Sequence, residues 1–114
     1  MQNKRLFINF EKMRVRSVDE VLQIREEVER TCAPLGHRVD AIVNYDGFRL
    51  EDDIAGDYAA MVEDLENRFY GRVTRYSGSA FMRLKLGKTL KSDAPHIYET
   101  RQAAKAFLDR QEPE

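Results

Sequence analysis

The chain has 114 residues, 42% hydrophobic and 34% charged, with a formal net charge of -1. That length and apolar content suit one domain with one core, which excludes wholesale disorder. No apolar run approaches the roughly 18 to 20 residues of a membrane span, the near-neutral charge speaks against a dedicated nucleic-acid binder, and the lone Cys32 excludes an internal disulfide.

The start, Met1-Gln2-Asn3-Lys4-Arg5, leads into only a short apolar run, so no signal peptide and a cytoplasmic location are expected. Leu6 to Phe10 reads as a strand that can extend through Met13 and Val15. Ser17 and Glu20 then form a capping box. The helix they open carries Val21, Ile24, Val28 and Cys32 on one stripe, and Pro34 and Gly36 stop it. On that stripe Cys32 reads as a buried small hydrophobe rather than a nucleophile.

Val39 to Tyr45 is nearly continuously apolar, as in a strand covered on both faces. Asp46-Gly47 is a turn signal, and Asp52 or Asp53 is placed to cap the next helix. Ile54, Tyr58, Met61, Leu65 and Phe69 recur at helical spacing, with Gly71 as the stop. Val73 to Tyr76 reads as a third core strand.

Ala80 to Leu90 fits two patterns. Met82, Leu84 and Leu86 alternate as in a strand, whereas Met82, Leu86 and Leu90 fall four apart behind a good cap, Ser79. The established alternation favours a helix, weakened by Gly87. His96 to Glu99 is a fourth strand, and Thr100 caps a last helix with Ala103, Ala104, Phe107 and Leu108. One α/β domain over residues 1–110 is expected, in the order β-α-β-α-β-α-β-α, with a frayed tail from Gln111 to Glu114. The sheet is expected to have four to five mostly parallel or mixed strands, flanked by helices.

In such sheets ligands bind beyond the carboxyl ends of the strands. Ser77-Gly78-Ser79 leads into a helix N-terminus, whose free N–H groups and dipole favour an anion, with Arg75 and Lys85 at hand. The competing reading is an ordinary N-cap. Tyr45, Asp46 and Tyr76 would form the rim, because the strands end in tyrosines. No P-loop or dinucleotide glycine pattern is present. His37 and His96 lack ligand-spaced partners, so no metal is expected.

Charge is segregated. Asp46 to Glu66 is acidic, whereas Arg68, Arg72, Arg75, Arg83, Lys85, Lys88 and Lys91 follow with no acid among them. Either the two stretches complement each other across the fold, or the basic one is an edge for a phosphorylated cofactor or an acidic partner.

The strings LFINFEKMRVRS, PLGHRVDAIVNYDGF, RVTRYSGSAFMRLKLG and APHIYETRQAA resemble the C-terminal extension of long bacterial acyl-CoA:acetate/3-ketoacid CoA-transferases, from about Leu6 to about Leu108. The resemblance implies a setting in which CoA passes between carboxylic acids through a glutamyl-CoA thioester. The nucleophilic glutamate of that family lies in its catalytic domains, in a Glu-x-Gly-like motif that this chain lacks. No catalytic residue carries over. What is implied is an accessory domain, not catalytic alone, that docks on those catalytic domains or self-associates. It requires no cofactor and can contact CoA or acyl-CoA. The element order also resembles the STAS fold of anti-sigma-factor antagonists, where a serine at a helix start is phosphorylated; Ser77 or Ser79 occupies a similar place.

Overall fold

A computed structural model describes residues 5–90 and 96–111. The chain opens with strand β1 (Arg5–Asn9) and a two-residue strand β2 (Arg14–Val15), followed by helix α1 (Val18–Cys32) and strand β3 (Val39–Asn44). A second two-residue strand, β4 (Arg49–Leu50), precedes helix α2 (Ala55–Phe69) and strand β5 (Tyr70–Tyr76). Helix α3 (Ala80–Thr89), strand β6 (His96–Tyr98) and helix α4 (Arg101–Gln111) complete the order. The expected loop before the fourth strand and the end of the expected tail lie outside the described residues.

Four strands make one parallel sheet in the order β1-β3-β5-β6. Side chains alternate across it and sort into two cores. On one face Ala41 and Val43 meet Val21, Ile24 and Val28 of α1, Tyr58, Met61 and Leu65 of α2, and Met82 and Leu86 of α3. On the other, Ile42 and Tyr76 meet Ala104, Phe107 and Leu108 of α4. Strand β3 is covered on both sides, which explains its apolar run Ala41-Ile42-Val43.

The helix starts follow their caps. Ser17 Oγ accepts the Glu20 N–H at 3.3 Å, Ser79 Oγ that of Met82 at 3.1 Å and Thr100 Oγ1 that of Ala103 at 3.1 Å. The Glu20 carboxylate, however, accepts from the Arg16 N–H rather than from the cap residue. Helix α2 has no side-chain cap: a 3-10 turn at Asp52–Ile54 feeds it, and Asp52 instead pairs with Lys85 at 2.9 Å. Salt bridges tie α1 to α2, from Arg25 to Asp64 at 2.6 Å and from Arg68 to Glu29 at 2.8 Å.

Two expectations need correction. The first strand does not run through to Val15. Lys12 adopts a left-handed turn at φ 61°, and its N–H donates to Asp46 O at 2.8 Å. The chain then resumes as β2, which pairs in parallel with β4 to form a small second sheet that the sequence reading lacks. Gly71 does not stop α2, because β5 begins at Tyr70 directly. A side chain at Gly71 would bring its Cβ to 2.7 Å from Asp40 Oδ1. That carboxylate accepts the Arg72 N–H at 2.8 Å and the Arg72 guanidinium at 2.7 Å, so glycine leaves room for an ion pair.

Candidate functional site

The ladder continues past the strand ends. Phe10 N–H donates to Asn44 O, Tyr45 N–H to Tyr76 O and Ser77 N–H to Tyr98 O, each at 2.9 Å. This holds the loops after β1, β3 and β5 side by side at the carboxyl edge of the sheet. Among the described strands the sheet order follows the chain order, with no reversal point of the kind where α/β sheets open a ligand crevice.

Asp46, Ser77, Gly78 and Ser79 come together there. The Gly78 N–H donates to Asp46 Oδ1 at 2.6 Å, and the Ser79 N–H donates to Ser77 Oγ at 3.2 Å. Arg83 Nη1 donates to Ser77 O at 2.7 Å. Ser77 is fully buried, while Ser79 is exposed. Much of the amide array that suits an external anion is therefore engaged, and a carboxylate of the chain itself already stands beside the start of α3.

The remaining candidate residues lie elsewhere. Arg75 is only 4% exposed and forms an ion pair with Glu66 of α2. Next to it, the hydroxyls of Tyr45 and Tyr58 share a hydrogen bond at 2.7 Å. Burial raises the pKa of both tyrosines, so they are neutral hydrogen-bonding groups at physiological pH rather than bases. Lys85 Nζ donates to Leu50 O and pairs with Asp52. Tyr76 packs on the α4 face with Tyr98, whereas Tyr45 belongs to the opposite core, so the strand-end rings do not gather.

Sequence reasoning missed Glu66 and Tyr58 as the partners of Arg75 and Tyr45. Both sit on the helix that the apolar stripe identifies. Their polar role depends on a tertiary contact, which periodicity does not report. Part of the charge segregation is internal complementarity: Arg68 pairs with Asp64, Arg75 with Glu66 and Lys85 with Asp52.

Among the described residues, a groove of about 570 Å³ lies between β1, the β1–β2 turn and one flank of α1. Leu6, Ile8, Phe10, Ile24 and Val28 supply apolar lining, and Glu20, Gln23, Glu27 and Thr31 line it from α1. It contains no nucleophile and base in contact. A smaller depression between α2 and α3, about 390 Å³, is lined mainly by Gly56, Ala59, Ala60 and Val62. Among the described residues no cluster of His, Cys, Asp and Glu is grouped to hold a metal ion, and no helix is long and apolar enough to cross a membrane. No family model, curated protein or solved structure matches this chain.

Proposed function

We propose that this chain is a docking domain, not catalytic alone, that serves as the accessory C-terminal element of an acyl-CoA:carboxylate CoA-transferase. One observation carries the non-catalytic part: the polar groups at the carboxyl edge of the sheet are committed to one another. Asp46 takes the Gly78 N–H and Ser77 takes the Ser79 N–H, while Arg75 is withdrawn from that edge and buried against Glu66. The transferase setting is supported only by the resemblance of the four sequence strings. Within that setting, docking and assembly are favoured over CoA handling, because a phosphate near Ser79 would meet the Asp46 carboxylate.

The test has two arms. The chain is incubated with acetyl-CoA and carboxylate acceptors, and turnover is expected to be absent. It is then mixed with a transferase of the resembled family truncated before its extension, and comigration in sedimentation is expected. Turnover by the chain alone, or no complex with the truncated enzyme, overturns this reading.

A second reading is a STAS-like regulatory module switched at a serine. Ser79 fits it better than Ser77, since Ser79 is exposed at the start of α3 and Ser77 is fully buried. Unchanged partner binding by Ser79→Asp removes this reading.

A further inference from the structure

Strand β1 is an outer strand, with β3 on one side and no described strand on the other. The Phe10 amide points to β3, because it donates to Asn44 O at 2.9 Å. Peptide groups alternate in a parallel ladder, so those of Leu6 and Ile8 also face β3, while those of Phe7 and Asn9 face outward. Outward-facing strand groups are a template for another strand.

The 570 Å³ groove runs along that edge. Its apolar part, including Leu6, Ile8, Ile24 and Val28, lies on the α1 side of the sheet. Its helix wall carries two carboxylates, Glu20 and Glu27, and no cation; Arg14 stands at the β2 end. Among the described residues each has one exposed arginine partner, Arg16 at 3.7 Å from Glu20 and Arg30 at 3.3 Å from Glu27, and neither arginine lines the groove.

We propose that a partner protein adds an extended segment to the outer edge of β1, apolar at its centre and carrying lysine or arginine at its ends on the groove side. This rests on the docking-domain reading above. The central side chains would cover the apolar lining, and the terminal cations would meet Glu20 and Glu27. A second copy suits the edge less well. A two-fold axis normal to the sheet would set both α1 walls on the same face, carboxylates toward carboxylates.

The probe is a labelled seven-residue peptide with valine at its third and fifth positions, lysine at both ends and threonine between. A second peptide has glutamate at the ends. Anisotropy titration of the full chain should show saturable binding of the lysine peptide, about fivefold tighter than the glutamate peptide. Glu27→Lys, on an exposed helix face, should remove that preference. Phe7→Pro, which deletes an outward amide while sparing the ladder to β3, should weaken binding about tenfold. Amide shifts should concentrate at residues 5–9 and 20–31.

Wild-type protein that binds neither peptide, or shifts confined elsewhere, overturns the assignment. So does a concentration-dependent dimer that Phe7→Pro dissociates, since the edge would then belong to a second copy. If the chain joins the truncated transferase but these variants change neither peptide nor enzyme binding, only the edge assignment fails. If the edge binds peptide but the chain ignores the transferase, only the transferase setting fails.

Discussion

The ion pair between Arg75 and Glu66 should be strongly asymmetric to mutation. The Arg75 side chain is 5% exposed, whereas that of Glu66 is 23% exposed. Removing Glu66 leaves a guanidinium in the core beside Tyr45 and Tyr58, with Arg75 Nε already lacking a partner. Breaking a buried pair from one side costs about 3 to 5 kcal/mol, and the partial exposure of Glu66 places Glu66→Ala near the lower end, about 3 kcal/mol. Removing Arg75 instead leaves a carboxylate that can turn to water. Arg75→Met, which also fills the vacated space with apolar volume, should cost only about 1 kcal/mol. Urea unfolding at neutral pH reads both, with the denaturant slope checked for constancy. A melting-temperature loss of roughly 10 to 15 °C should accompany Glu66→Ala. If Arg75→Met proves the more damaging change, or Glu66→Ala costs under about 0.5 kcal/mol, the buried-pair account of this strand is wrong.

The glycines should separate by their surroundings. Gly71→Ala pushes into the Asp40 carboxylate and should cost about 1 to 2 kcal/mol, whereas Gly56→Ala, with open space on α2, should stabilise by about 0.5 to 1 kcal/mol in thermal unfolding. The buried tyrosines predict alkaline lability. Burial holds the pKa of Tyr45 and Tyr58 above the ordinary value of 10.0, so unfolded chains release these protons first and stability falls as pH rises past about 10. Absorbance at 295 nm should show these two ionising only together with unfolding; early titration of all the tyrosines would refute their burial. Tyr58→Phe removes the 2.7 Å hydroxyl contact and should cost about 1 kcal/mol by denaturant titration.

Much of the fold was legible because the elements that matter announce themselves over several turns. The stripe from Ile54 to Leu65, the Ser17 and Ser79 caps and the apolar run Ala41-Ile42-Val43 of β3 each depend on local sequence pattern or capping chemistry. Strands β2 and β4 were not legible, because two residues carry no period, and their pairing depends on a left-handed turn at Lys12. The supposed tyrosine rim illustrates a different limit. Asn44 pairs with Tyr76, and Tyr76 with Tyr98, so the last two share a face, while Tyr45 stands one residue further along and turns to the other. A register offset of one residue reverses a side chain, and no composition argument sees it. Arg75 was read as accessible because arginine usually is; its position on the covered face of β5, opposite Glu66, is a property of the assembled layers.

The central claim is that the carboxyl-edge loops hold themselves together and do not hold a ligand. Calorimetric titration with acetyl-CoA, on the wild type and on Ser79→Ala, tests it most directly. No saturable heat is expected from either protein. Saturable binding by the wild type that Ser79→Ala abolishes would contradict the claim and return these loops to the role of an anion site.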